Sequence, residues 1–291
     1  MTITSSDTAL PLIGDELPDA AYEAIIEQLL SRRHFDLGAY KDRCIRRRIA
    51  KRLRSSGALD VPSYLDRLAA DDDELDALIA TLSIHVSQFF RNPGTFQVLE
   101  GQVLPDLCRR VRAAGRKELR LWSVGCAGGE EPYSLALLVD ELAPSGLEVS
   151  ILATDVSEPI LALAREALFE PARLGEIPPS VLARYFVAEG ERYRLKPQIR
   201  AAVRFECHNI MTAMDYPAAD LILCRNVLIY FTREEQARIL ARFAAALPEG
   251  GALVLGRAET LVGPERQLFR IEFPTERIYR RTATIPDLQG A

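Results

Sequence analysis

The residues best equipped for chemistry gather in one short stretch, WSVGCAGGEEPYS, from Trp122 to Ser134. Gly125, Gly128 and Gly129 follow an apolar run, and the adjacent carboxylates Glu130 and Glu131 stand before Pro132. A glycine turn between the first strand and helix of an α/β sheet lets the backbone approach a nucleotide-like ligand at the strand's carboxyl end. About thirty residues further on, Asp155 closes the apolar run ILATD, where an acid can accept two ribose hydroxyls.

The loop carries acid where a phosphate-binding loop carries lysine, and Glu130 and Glu131 would repel a phosphate. A ligand with ribose and adenine but with a sulfonium and an ammonium instead of phosphates would be attracted. S-adenosylmethionine (SAM) has that constitution and is the expected cofactor. The competing reading of the two acids is a solvated helix start, which the helix dipole also favours.

A second group follows the run DLILC, where RNVLIYF brings Arg225 and Asn226 to the same cleft. Enzymes that methylate the amino groups of bases usually place an Asn/Asp-Pro-Pro-aromatic motif here, and this sequence has none. An arginine suits an anionic nucleophile, because guanidinium holds a carboxylate in a fixed orientation; the alternative for Arg225 is a structural salt bridge. A carboxylate with a pKa of about 4.3 is ionised at pH 7 and needs no general base. Catalysis then reduces to alignment, desolvation and exclusion of water around a direct methyl displacement. Tyr230 and Phe231 read as packing. Upstream, Phe89, Phe90 and Arg91 lie in SIHVSQFFRNPGTF, where two differently patterned regions join. Aromatics there could roof the cofactor or fill an interdomain core, and the sequence leaves both open.

Two regions must position these residues. The first hundred residues repeat apolar positions at helical spacing, with Ala21, Ile25 and Leu29 on one segment and Ile45, Ile49 and Leu53 on another. VPSYLDRLAA and DDDELDALIATLSI read as two more helices. From about Glu118 short apolar strands alternate with amphipathic helices through LRLWSV, PYSLALLVDEL, EVSILATD, EPILALAREAL, DLILC, REEQARILARFAAAL and GALVLG. That alternation predicts a doubly wound, mostly parallel α/β sheet. The last helix is expected to start in a capping box of Thr232 and Glu235, and LFRIEFPTERIYRR to add a hairpin. The expected division is a helical domain over 1–90, a linker helix over 91–117 and a catalytic domain over 118–291. An inserted β-hairpin subdomain over about 171–203 is expected to turn at Glu189-Gly190.

Composition sets the outer bounds. The 291 residues are 48% hydrophobic and 26% charged, enough to bury a core. No apolar run approaches the roughly 18 residues of a membrane-spanning helix, and the N-terminus lacks a signal peptide's basic start and apolar core. A cytoplasmic location is expected. Five scattered cysteines without a CxxC pair and three dispersed histidines predict neither a disulfide framework nor a metal site. The net charge of -5 hides an asymmetry, since Ser31 to Gly57 holds ten Lys or Arg against Asp36 and Asp42. A basic patch on an acidic chain points to one localised anionic partner rather than to nucleic acid. Arg43, Arg47, Lys51 and Arg54 fall on one helix face opposite Ile45, Ile49 and Leu53, and Arg46 is grouped with them. The bland reading is a solvated basic face.

Together these pieces resemble the CheR family of chemotaxis receptor methyltransferases. The resemblance rests on YKDRCIRRRIAKRLR, VSQFFRN, GCAGGEEPYSLAL, ILATD, HNI, ILCRNVLIYF and GGALVLGRAETL, and covers almost the whole chain. It implies a SAM-methyltransferase (Rossmann-like) fold that esterifies glutamate side chains of chemoreceptors. It implies that Ser87 and Arg91 reach the cofactor from the linker, with Gly125 in the loop, Glu130 at the methionine end and Asp155 at the ribose. Asn209, Ile210, Asn226 and Val227 would lie on the adenine side. Arg91 and Arg225 are both candidates to face the reactive centre, and the likeness does not decide between them. His85 stands where the family usually has asparagine, at one expected cofactor contact. The basic helix is implied to dock on the receptors' helical bundle, with the protein acting as a monomer. Some members grip a receptor tail peptide with a longer, glycine-rich hairpin; FVAEGERYRLK offers a tight turn, so a tail-independent enzyme is expected. The same chemistry on a non-chemotaxis signalling protein and a SAM-binding module without turnover are the alternatives.

Overall fold

The computed structural model describes residues 17–33, 35, 37, 42–82, 87–261 and 263–283, without the side chains of Arg43 and Cys44. The described residues form two compact units, one running to Leu82 and including Tyr230–Thr232, the other comprising Ser87–Ile229 and the rest from Arg233 onward. Among the described residues the division falls between Leu82 and Ser87. The expected linker helix belongs to the second unit, because Leu99, Val103, Leu104, Leu107 and Val111 enter that unit's core.

The first unit holds α1 (Asp19–Arg33), α2 (Asp42–Ser56), α3 (Val61–Ala70) and α4 (Asp72–Leu82). On α1 the buried residues are Ala21, Tyr22, Ile25 and Leu29, and on α2 Ile45, Ile49 and Leu53 are buried at the same rhythm. A capping box starts α3: the Asp60 carboxylate accepts the Ser63 N–H at 2.9 Å and the Ser63 hydroxyl accepts the Asp60 N–H at 3.2 Å. Arg52 of α2 donates twice to the buried Glu74 of α4, at 2.8 and 2.6 Å. In this unit Phe231 is buried and the Arg48 guanidinium lies 5.0 Å over the Tyr230 ring, which agrees with the packing role read for both aromatics.

The second unit opens with α5 (Pro93–Val98), a π-helical turn over Leu99–Val103, and α6 (Leu104–Ala113). It continues through β1 (Glu118–Val124), α7 (Glu130–Leu142), β2 (Glu148–Asp155), α8 (Glu158–Glu166), β3 (Leu168–Phe169), α9 (Pro179–Tyr185), β4 (Phe186–Glu189), β5 (Arg192–Leu195), α10 (Pro197–Ala201), β6 (Val203–Cys207), β7 (Leu221–Cys224), α11 (Arg233–Ala246), β8 (Ala252–Leu255), β9 (Phe269–Phe273) and β10 (Ile278–Arg281). The main sheet runs β6-β2-β1-β7-β8-β10-β9, parallel through β8 and antiparallel at β10 and β9. The order reverses between β1 and β7, so both central strands open a crevice at their carboxyl ends.

The expected strands and helices all form, and the C-terminal hairpin joins the sheet. The edge strand β6 was not foreseen. Its burial pattern leaves only Val203 buried, so VRFEC carries little of the apolar signature of an interior parallel strand. The inserted hairpin forms with its turn at Gly190-Glu191, one residue later than expected, and β3 makes it a three-stranded sheet that begins at Leu168. Phe89 fills the second unit's own core, edge-on to Phe169 at 4.8 Å and to Phe186 at 5.4 Å. No helix among the described residues is long and apolar enough to cross a membrane.

Candidate functional site

Five strands end at one edge of the sheet, and the residues that follow them converge there. After β1, Gly125 adopts a left-handed φ of 66°, and a Cβ on it would come within 2.6 Å of a Val227 methyl. Only glycine meets both demands, a positive φ and contact with the chain that leaves β7. Gly129, at φ 92°, then starts α7.

The two acids of the loop diverge. Glu131 accepts the Ser123 hydroxyl at 2.8 Å and pairs with Arg225 at 3.2 Å, so its charge is spent inside the protein. Glu130 is buried at the loop, 3.5 Å from Arg173. Asp155, 6% exposed at the end of β2, accepts the Ala127 N–H at 3.0 Å and the Ser157 N–H at 3.1 Å. It therefore shapes the glycine loop as well as standing where a ribose would be held.

Beyond β6, the His208 N–H is donated to the Asp155 carbonyl at 2.9 Å, which ties the residue before Asn209 to the end of β2. The Asn209 side chain accepts the Met211 N–H at 2.9 Å, and the carbonyl of the buried Ile210 accepts the Tyr216 hydroxyl at 2.6 Å. Tyr216 and His208 pack edge-on to Trp122 of β1, at 5.3 and 5.7 Å, and join this loop to the sheet.

Arg225 is buried after β7. Its guanidinium pairs with Glu131, donates to the Arg91 carbonyl at 2.6 Å and the Asn92 side chain at 2.8 Å, and lies 5.4 Å over the Phe96 ring. This narrows the expectation that it faces an anionic nucleophile: the engaged donors tie the Arg91–Asn92 segment to the glycine loop. Arg91 is half-buried, and Asn92 is left-handed at φ 62°. Ser87 joins the same network, its carbonyl accepting from Arg173, whose own carbonyl accepts the Phe89 N–H at 3.0 Å. The Phe90 N–H is donated to Ser134 of α7 at 2.9 Å. Asn226 is left-handed at φ 62°, and its side-chain carbonyl oxygen is buried without a hydrogen-bond partner in the protein. His85 lies outside the described residues, as does the Arg43 side chain.

The sheet edge thus gathers Ser87, Arg91, Gly125, Glu130, Asp155, Asn209, Ile210, Arg225, Asn226 and Val227 on one unit. A family model for the SAM-binding domain of CheR methyltransferase matches residues 85–278, and one for its all-alpha domain matches residues 20–83. The chain belongs to the CheR methyltransferase family. The chemotaxis protein methyltransferase of Listeria innocua is 36% identical over 229 residues, covering 79% of this chain and 86% of the relative. Chemotaxis protein methyltransferase 1 of Pseudomonas aeruginosa is 33% identical over 234 residues, covering 77% and 84%. A 104.1 kDa uncharacterized protein of Rhodobacter capsulatus is 36% identical over 248 residues, 84% of this chain but 26% of that one.

As a CheR-family member the protein is a SAM-dependent methyltransferase. The residues present fit that cofactor: a glycine turn with no room for a Cβ, an acid at the end of β2, a buried carboxylate in the loop and the orphaned Asn226 oxygen. Sequence reasoning missed Arg173, Ser134 and Glu259. Arg173 lies outside any motif, and Ser134 closes WSVGCAGGEEPYS without having been assigned a role. Glu259, quoted only within GGALVLGRAETL, is an acid just past a buried strand end, and that was the available signal.

The basic helix separates into two kinds of residue. Arg46 is committed to the first unit, paired with Asp19 at 2.8 Å and Asp42 at 3.1 Å and lying 4.1 Å over the Tyr22 ring. Arg47, Lys51 and Arg54 are exposed.

Proposed function

We propose that this enzyme transfers the methyl group of SAM to glutamate side-chain carboxylates of chemoreceptors, giving methyl esters. What carries the reading is Arg91, an arginine whose backbone is gripped by the buried Arg225 beside an acidic glycine loop, with no amine-accepting motif after β7. When bound, SAM supplies an electrophilic methyl group.

The chain's own residues do the rest. Asp155 holds the ribose and the loop, Gly125 gives the backbone its close approach, and Glu130 attracts the cationic methionine end, with Ser87 alongside. Asn209, Ile210, Asn226 and Val227 wall the adenine, and His85 is the residue of the linker segment assigned to the cofactor. Arg91 orients the substrate carboxylate, which is ionised and asks for no proton transfer. Arg225 fixes Arg91 from behind.

Arg47, Lys51 and Arg54, with Arg43, dock the acidic region of the receptor's helical bundle, and Arg46 supports that face from within. The protein acts as a cytoplasmic monomer. The two-residue hairpin turn at Gly190-Glu191 supports an enzyme that needs no receptor tail peptide. A tail peptide binding with micromolar affinity would refute that part.

Purified receptor cytoplasmic fragments incubated with enzyme and SAM, then mapped by mass spectrometry, test the substrate. Methyl increments on glutamate are expected; increments confined to lysine or arginine would overturn the proposal.

A further inference from the structure

The turn after β7 is held from below by a carboxylate that the methyl transfer itself does not require. Glu259, 4% exposed in the loop after β8, accepts the Asn226 N–H at 2.8 Å and the Gly256 N–H at 2.6 Å on one oxygen. Its other oxygen accepts the Ile229 N–H at 3.2 Å. One side chain therefore ties together the chain leaving two adjacent parallel strands, β7 and β8.

The geometry around it is closed. A Cβ on Gly256 would lie 2.8 Å from the Asn226 nitrogen and 2.8 Å from the Glu259 oxygen, so nothing larger than glycine leaves the clamp undisturbed. Asn226 sits at φ 62°, a left-handed conformation that asparagine tolerates better than most residues and that its surroundings here favour over the ordinary ones. The Glu259 hydrogen bond to its N–H is the most direct such constraint. The same residue holds a buried side-chain oxygen with no partner in the protein, and the next residue, Val227, is pressed against Gly125.

We propose that Glu259 is a positioning residue for cofactor binding: it fixes the left-handed turn at Asn226, and so holds the Asn226 oxygen and the Val227 side chain in place as a preformed wall. This rests on the reading of Asn226 as a cofactor-binding residue. The role calls for a carboxylate, because it offers two oxygens to at least three N–H donors. An amide of the same shape offers one oxygen and turns an NH2 group toward an N–H.

The test is the affinity of the full chain for S-adenosylhomocysteine by titration calorimetry, with urea unfolding of each variant alongside. Asn226→Ala is expected to weaken binding about tenfold, as for one lost hydrogen bond of ordinary strength. Glu259→Gln and, independently, Gly256→Ala are expected to weaken it about tenfold or more. The double variant Glu259→Gln/Asn226→Ala is expected to lose no more than the larger single loss, because Glu259 acts through Asn226. Additive losses would overturn the proposal, since a general structural role would give them. So would wild-type affinity in both Glu259→Gln and Gly256→Ala while Asn226→Ala binds weakly. Wild-type affinity in Asn226→Ala would instead remove the placement of Asn226, and the clamp with it. Should Glu259→Gln fail to fold, Gly256→Ala with and without Asn226→Ala makes the same comparison.

Discussion

Removing one member of a buried ion pair leaves the other charge uncompensated, at a cost of about 3–5 kcal/mol. The Arg225 side chain is 2% exposed beside Glu131, so Arg225→Ala is expected to lose about that much stability in urea unfolding. Arg91→Ala is expected to lose turnover while its unfolding curve stays near wild type. An Arg225→Ala protein of full stability with only turnover lost would return that residue to the substrate. Glu259 carries a prediction in pH. Burial pushes its carboxyl up, against backbone N–H groups of Asn226, Gly256, Ile229 and Leu228 that pull it down. A carboxyl raised in the folded state binds its proton more tightly there than in the unfolded chain. Its contribution is full below the unfolded value and lost as pH rises through the folded one. Wild type should therefore gain stability relative to Glu259→Gln between pH 7 and pH 4, measured by urea unfolding; a relative loss would mean the backbone donors win. The loop and Asp155 were legible in the sequence because glycine spacing and an acid at a strand end have direct meanings. The partner of Arg225 was not, because β1–β7 pairing brings Glu131 to it across 94 residues. Glu259 escaped for a similar reason: its partners are backbone N–H groups, which no side-chain pattern marks.

At the scale of elements, the glycine loop and the turn after β7 meet at one contact, Gly125 against Val227. Gly125→Ala combines a left-handed φ with that clash and is expected to weaken cofactor binding and stability. Val227→Ala in the same chain should restore part of the loss by removing the methyl that the new Cβ meets, as calorimetry and urea unfolding would show. No restoration would leave backbone strain as the whole cost. On α2, charge reversal of Arg47 and Lys51 should leave stability near wild type but lower receptor methylation, with the deficit greatest at low salt, where surface charges are least screened. Methylation unchanged at low salt would remove the docking face. Arg52→Glu should instead unfold the first unit, since it sets a second acid against the buried Glu74. Apolar periodicity made the four N-terminal helices and the parallel strands readable. It did not reveal β6, whose side chains are mostly exposed, nor single out Arg46 and Arg52 on α2 as ion-paired, because the acids that claim them lie on other helices or one turn back.

For the molecule as a whole, a net charge of -5 is divided between a basic helix in one unit and an acidic cofactor loop in the other. The first favours an anionic partner protein and the second a cationic cofactor, as the proposed transfer of a sulfonium methyl to a carboxylate would use. The most direct test supplies SAM labelled in its methyl group to membranes bearing the organism's own chemoreceptors, followed by mild alkali. Volatile labelled methanol, released from receptor-sized protein and lost in Arg91→Ala, is the predicted result. Label that enters protein but resists alkali, or enters no protein while SAM binds normally, would contradict carboxyl methylation of receptors.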